Sequence, residues 1–202
     1  MEEKMLDRAR YELMKTRYGQ YGSWAVWHPA GATPKSNTEN MDWVRDPNLL
    51  NIINTGYVFV GLNWSSTHGD VTKGGTIPWA NFHSGYAMQN DFKLRFALCG
   101  TKFWGSYITD VIKLYAEVNS KKVRPYLNSH PGLEAKNIAS FEEEIGMLGW
   151  QKPVLIALGT EAGSILKRNL ANRYTIKTVM HYSNYISKEA YRESVLSDLN
   201  GI

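Results

Sequence analysis

A chain of 202 residues with 43% hydrophobic content is long enough to bury one core of ordinary size, and its net charge of +4 suits contact with a polyanion. A single cysteine, Cys99, excludes an intramolecular disulfide framework, a cysteine zinc site and a cysteine-ligated iron–sulfur cluster, and fits a reducing, cytoplasmic setting. No uncharged apolar run approaches the roughly 20 residues that span a bilayer, which predicts a soluble protein without membrane partners. Seven Trp, twelve Tyr and six Phe raise the question of whether some rings stack on a ligand instead of filling the core.

The first nineteen residues, MEEKMLDRARYELMKTRYG, mix charge with apolar residues at helical spacing and predict an amphipathic helix, without the continuous apolar run of a secretory signal. The Gly-, Pro-, Ser- and Asn-rich stretch that follows, through Asn40, reads as a surface loop pinned by Trp24 and Trp27. Between Met41 and Asn54, Asp46 ahead of Pro47 and the apolar side of Leu49, Leu50, Ile52 and Ile53 predict a short helix. Tyr57 to Leu62 is a continuous apolar run of the kind buried on both faces of a parallel sheet. Three further runs resemble it: Trp104 to Asp110, Pro153 to Leu158 before Gly159, and Tyr174 to Met180 leading into His181.

Helical stretches are expected at Asp91 to Cys99, at Ser140 to Leu148 behind the Ser-x-x-Glu capping box Ser140-Phe141-Glu142-Glu143, and at Thr160 to Leu170. Glu117 to Asn137 reads as an elaborated connection. Strands alternating with helices predict an α/β fold in one domain, 1–202: a three-layer sandwich around a four-stranded, mostly parallel sheet. In such open sheets, ligands lie outside the carboxyl ends of the strands. Asn63, Asp110, Gly159 and His181 fall at those ends.

A long loop from Trp64 to Tyr86 follows the first of these strands; it contains Gly74-Gly75 and then Pro78-Trp79-Ala80-Asn81-Phe82-His83. Its Trp79 or Phe82 could wall a flat pocket for a heteroaromatic base, or simply pin the loop. His181, at the end of the last strand, could donate to a developing anion and Ser183 could hold a phosphate; a structural histidine is the plainer reading. Asp110 could instead be a helix N-cap with Lys113 as an ion-pair partner.

Taken together, Gly61-Leu62-Asn63, the Pro78-Trp79 pair, Tyr107-Ile108-Thr109-Asp110-Val111-Ile112-Lys113, Ile156-Ala157-Leu158-Gly159 and His181-x-Ser183 resemble the uracil-DNA glycosylase superfamily, in order and over most of the chain. That resemblance, nearest in motif to the mismatch-directed and single-strand-selective branches, implies a uracil-DNA glycosylase-like fold. It also implies a monofunctional N-glycosidase that flips a damaged, deaminated base out of DNA and hydrolyses its bond to the sugar. Asn63 would position the attacking water and His181 would bond the base oxygen as charge develops on it. Trp79, with Phe82 as the alternative, would stack on the base, and Asp110 would meet its edge. Ser183 would grip a phosphate, Tyr185 and Ile186 would fill the vacated stack, and Lys188 with Arg192 would meet the backbone. The expected partner is DNA, double- or single-stranded, bound by a monomer with no cofactor and no metal. A catalytically weak, nucleic-acid-binding member of the same fold is the alternative, and an enzyme acting on free nucleosides or nucleotides a further one.

In three places the sequence departs from the superfamily pattern. Trp64-Ser65 stands where the pattern has Pro-Gly, Tyr182 stands in place of the proline of the last motif, and Asp110 stands where related enzymes use an asparagine amide. An ionised carboxylate only accepts hydrogen bonds, whereas uracil offers both N3–H and carbonyl oxygens.

Overall fold

The computed structural model describes residues 6–64, 77–86, 88–149 and 152–202. In chain order its elements are α1 (Arg8–Tyr18), β1 (Ser23–Trp24), α2 (Leu49–Ile52), β2 (Asn54–Asn63), α3 (Asp91–Leu98), β3 (Ser106–Ile112), α4 (Val123–Ser129), α5 (Leu133–Gly146), β4 (Val154–Leu158), α6 (Thr160–Leu170), β5 (Ile176–Val179) and α7 (Lys188–Asp198). The strands form one α/β sheet in the order β1-β3-β2-β4-β5, parallel except for β1. The sheet therefore has five strands among the described residues, not four.

The additional strand corrects the loop reading of Trp24. Ser23 and Trp24 pair antiparallel with Ile108 and Tyr107, and two residues are too few to show a period in sequence. Gly22 makes room for this edge: a Cβ there would lie 2.2 Å from the Tyr107 hydroxyl.

Continuous apolar runs in β2 and β4 have a simple cause, since both faces of the sheet are covered. Val58, Val60, Tyr107, Leu155 and Ala157 pack on one side with Met14 of α1, Phe141 and Ile145 of α5 and Ile165 and Leu166 of α6. Phe59, Ile108, Ile156, Leu158 and Val179 pack on the other with Leu94 and Leu98 of α3 and Tyr191 and Val195 of α7. Helices on both faces are compatible with a three-layer sandwich.

Three helices differ from expectation: α4 lies inside the stretch read as a connection, and α5 and α7 are the others. α5 starts at Leu133, behind Gly132 in the left-handed region (φ 85°), so Ser140 lies inside it and caps nothing. Ile138, Phe141 and Ile145 extend the apolar stripe, and buried Asn137 ties the helix to the sheet by accepting from Lys113 N (2.7 Å) and Leu114 N (2.9 Å). α7, beyond the last expected strand, is capped by the Ser187 side chain, which accepts from Ala190 N.

A buried ion pair links α5 to the sheet end. Lys113 Nζ lies 2.6 Å from Glu144 Oε2, and Glu144 Oε1 accepts from Tyr107 Oη (2.7 Å) and Thr109 Oγ1 (2.8 Å). Glu144, not Asp110, is thus the ion-pair partner of Lys113.

The chain passes from β2 to β3 on one side and then crosses to β4 and β5 on the other. The crossovers diverge beyond the carboxyl ends of β2 and β4, where doubly wound sheets open a crevice.

Candidate functional site

At that divergence lies a cleft of about 570 Å³. Its lining comes from the ends of β2, β3 and β4, the first turn of α6, the segment after β5, the segment around Asn81 and Phe82, and the start of α3. Asn63, Phe82, Asp110, His181 and Ser183 all line it, so five of the residues singled out in the sequence meet in one place.

Asn63 ends β2 with its amide held at one end. Nδ2 donates to Glu117 O at 2.7 Å and to Trp64 O at 3.1 Å, so the carbonyl Oδ1 is the acceptor without a partner among the described residues. Trp64 has a structural reason to stand where the superfamily pattern has proline. Its backbone N–H donates to Ile112 O at 3.1 Å, extending the ladder by a bond that proline cannot make. Ser65 and Gly74-Gly75 lie outside the described residues.

Asp110 is not the last residue of its strand and caps no helix: β3 runs on through Ile112, and Asp110 is buried within it beside Gly61, its register partner on β2. A Cβ at position 61 would sit 2.2 Å from Asp110 Oδ1 and 3.6 Å from Phe82 Cε1, so the glycine of the Gly-Leu-Asn motif is what lets carboxyl and ring approach the strand. Asn81 Nδ2 donates to Asp110 Oδ2 at 3.2 Å. Burial drives the Asp110 pKa up to about 7, against the lowering effects of Lys113 and the Asn81 bond.

Asn81 and Phe82 are positioned by a strained turn. Trp79 and Phe82 both have positive φ, 70° and 65°, a conformation that persists in non-glycine residues only where the surroundings enforce it. The enforcement is visible: Trp79 N donates to Gly19 O (2.6 Å), Ser23 Oγ to Trp79 O (2.6 Å) and Asn81 Nδ2 to Tyr21 O (2.5 Å). The turn sends Trp79 into the core and Phe82 towards the cleft. Trp79 is fully buried against Tyr11, Trp24 and Tyr107, and its Nε1 donates to Tyr11 Oη at 2.9 Å. Stacking on a base is therefore geometrically open to Phe82 and closed to Trp79.

His181 follows β5, against Gly159. The Ser183 N–H donates to His181 Nδ1 at 3.1 Å and the Ser183 hydroxyl lies 2.8 Å from the same nitrogen, which assigns the ring proton to Nε2. Burial lowers the His181 pKa to about 4, so the imidazole is neutral at physiological pH. In this arrangement Ser183 orients the histidine. The Tyr182 ring stacks on His181 at 4.4 Å, and the neighbouring Asp91 carboxyl helps burial to hold the Tyr182 hydroxyl protonated. Asp91 accepts from Ser84 N at 2.7 Å, and its pKa is raised to about 6 by burial. Lys93, in the first turn of α3, donates to Asn184 O at 2.8 Å and holds the same segment.

Gly159 precedes α6 at φ 97°, which a side chain would strain, and no side chain caps that helix. Its first-turn N–H groups thus lie at the cleft wall formed by Gly159 to Ala162. The remaining DNA-contact candidates scatter. Tyr185 is fully solvent-exposed beside the cleft, whereas Ile186 packs against the core on the α3–α7 side. Lys188 lies 4.0 Å from the Phe96 ring centroid and pairs with Glu189, facing a second groove, and Arg192 Nη1 caps the end of α3 through Phe96 O, Ala97 O and Cys99 O. Among the described residues, no lysine or arginine lines the main cleft and no group of three or more His, Cys, Asp or Glu is placed to hold a metal ion.

No protein-family model, curated protein or solved structure matches the chain. Its site stands on its own geometry. Asn81, Asp91 and Tyr182 are the residues that sequence reasoning did not place there. The Asn81 position, two residues beyond the Pro78-Trp79 pair, was the one available signal.

Proposed function

We propose that the chain is a DNA glycosylase-like enzyme, a member of the uracil-DNA glycosylase superfamily by resemblance, that takes a deaminated base into this cleft and hydrolyses its bond to the sugar. The observation that carries the reading is Asn63: both Nδ2 hydrogens are held by backbone carbonyls, which leaves Oδ1 an acceptor without a partner among the described residues, on a side chain that lines the cleft with His181 and Phe82. Oδ1 would hold a water against C1′ of the sugar. An amide is a poor base, so the rate depends on charge stabilisation at the departing base. The neutral His181 would donate from Nε2 to the base oxygen on which charge accumulates. Water adds as hydroxyl to C1′, and the base leaves with the glycosidic electron pair and takes up a proton. Phe82 would stack on the base, an interaction worth about 1–3 kcal/mol.

With no cation in the cleft lining among the described residues, phosphate contacts would fall to backbone N–H groups at the start of α6 and to Ser183, outside the base pocket. Exposed Tyr185 is the candidate to fill the vacated stack.

The test is a panel of end-labelled oligonucleotides carrying uracil opposite guanine, uracil opposite adenine, single-stranded uracil, hypoxanthine or xanthine, followed by alkali. Alkali-labile breaks at the modified base that disappear in Asn63→Ala and His181→Ala support the enzyme. Salt-sensitive binding without breaks would make the chain a binding member of the fold. Neither breaks nor binding on any DNA would defeat both readings.

A further inference from the structure

Asp110 is a carboxyl group in a place where an ionised carboxylate is poorly matched to its surroundings. It is 4% exposed, and its Oδ1 approaches Gly61 so closely that a Cβ there would lie 2.2 Å away. Its carboxyl accepts one hydrogen bond among the described residues, from Asn81. The nearest cation is turned elsewhere: Lys113 Nζ binds the Glu144 carboxylate and the backbone oxygen of Asp110, not its side chain. Glu144 faces it across the sheet from α5 and adds negative charge, and Tyr182 faces it from the segment after β5. Asp91, Glu117, Glu161 and His181 complete the titratable lining of the cleft, and none of them brings a positive charge at neutral pH.

The hydrogen-bond inventory then decides what such a group can read. A neutral carboxyl offers one O–H donor next to one carbonyl acceptor, the same pair that an asparagine amide offers. With the carbonyl at Oδ2, one lone pair serves Asn81 and the other is open to a ring N–H. The hydroxyl at Oδ1 can donate to the neighbouring carbonyl of the same ring. That two-bond pattern fits a lactam edge, N–H beside C=O, as found in uracil and hypoxanthine. An ionised carboxylate has no donor, would face the lactam oxygen repulsively, and fits an exocyclic amino group instead.

We propose that Asp110 determines specificity by acting as a neutral carboxylic acid that pairs with the lactam edge of the base, so that deprotonation of Asp110 closes the cleft to lactam bases. The inference rests on the glycosylase reading and adds to it the substrate class and a pH gate. Burial already moves the Asp110 pKa to about 7, which puts the gate within reach of ordinary assay buffers.

The experiment is single-turnover excision of uracil from a single-stranded and a G-mismatched oligonucleotide, from pH 5.5 to 9, for the wild type, Asp110→Asn and Asp91→Asn. In the wild type, excision should be level on the acid side and fall about tenfold per pH unit above the Asp110 midpoint. Asp110→Asn, which fixes donor beside acceptor at every pH, should abolish the fall and exceed the wild type above pH 8. Asp91→Asn should retain the fall, which separates the gate from the neighbouring carboxyl. A wild-type rate that is level or rises between pH 7 and 9, or the same fall in Asp110→Asn, overturns the inference while leaving the glycosylase reading intact. If Asp110→Asn fails to fold, the wild-type profile alone still decides. No excision by any variant at any pH overturns the glycosylase reading and the gate with it.

Discussion

The close approach of Asp110 to Gly61 can be tested without any assumption about activity. Replacing Gly61 with alanine puts a Cβ 2.2 Å from Asp110 Oδ1, where ordinary contact begins near 3.4 Å, so the carboxyl must retreat by about 1 Å. Gly61 has an unremarkable φ, so no backbone strain is mixed into the effect. Overpacking of this kind costs about 1–3 kcal/mol, and the retreat strains the 3.2 Å bond from Asn81 as well. For a chain of this length each kcal/mol lowers the melting temperature by about 2–4 °C.

The decisive form of this test is a double-mutant cycle. In an Asp110→Ala background the clashing carboxyl is gone, and Phe82 Cε1, the next atom out, lies 3.6 Å from the new Cβ, an ordinary contact. Gly61→Ala should then be nearly neutral, leaving a coupling of about 1–3 kcal/mol by urea denaturation of the four proteins. Additive effects, or a Gly61→Ala variant within about 0.5 kcal/mol of the wild type, would mean that Asp110 does not lie over Gly61. The geometry of the cleft floor would then be wrong.

Other consequences follow from the same contacts. Glu144→Ala leaves Lys113 buried without its partner and should cost about 3–5 kcal/mol in urea denaturation, whereas Gly146→Ala, with open space around its Cβ, should be neutral or stabilise by up to about 1 kcal/mol. Proton NMR of the His181 ring should show a midpoint near pH 4; because this folded value lies below the unfolded 6.5, its contribution to stability is complete above pH 6.5 and is lost as pH falls through about 4. Asp110 has the opposite sign: its folded value lies above the unfolded 3.8, so its contribution is complete below that pH and is lost as pH rises through about 7. The melting temperature of Asp110→Asn should therefore gain on the wild type between pH 5 and 8, and a constant difference would contradict the burial argument.

The apolar run of β2 that stops at a polar residue was legible in the sequence and put Asn63 at its end, whereas β5 is a four-residue edge strand, half-buried at Ile176, Lys177 and Thr178, with His181 two residues beyond it. β1 was not, because two residues carry no period, and the start of α5 was hidden behind a stretch whose buried Asn137 looks like a loop residue. Within the segment from Trp79 to Phe82, composition could not say which ring faces the ligand. The left-handed φ values at both residues decide it, and they are imposed by bonds to residues 19–23 that are distant in sequence. Lys188 and Arg192 read as phosphate contacts by charge, but charge alone does not reveal that one lies over Phe96 and the other caps α3. A lone asparagine in a long loop carries no pattern, and the place of Asn81 in the cleft depends on bonds to Tyr21 O and Asp110 that are distant in sequence.

The central claim is that the amide of Asn63 serves hydrolysis of a base from DNA. The most direct measurement is mass-spectrometric detection of free base released from a uracil-containing oligonucleotide at pH 6, comparing the wild type with Asn63→Ala under single-turnover conditions. The account predicts free uracil from the wild type and a loss of about 10²-fold or more in the variant. No free uracil from the wild type, or equal release by a folded Asn63→Ala protein, would contradict it.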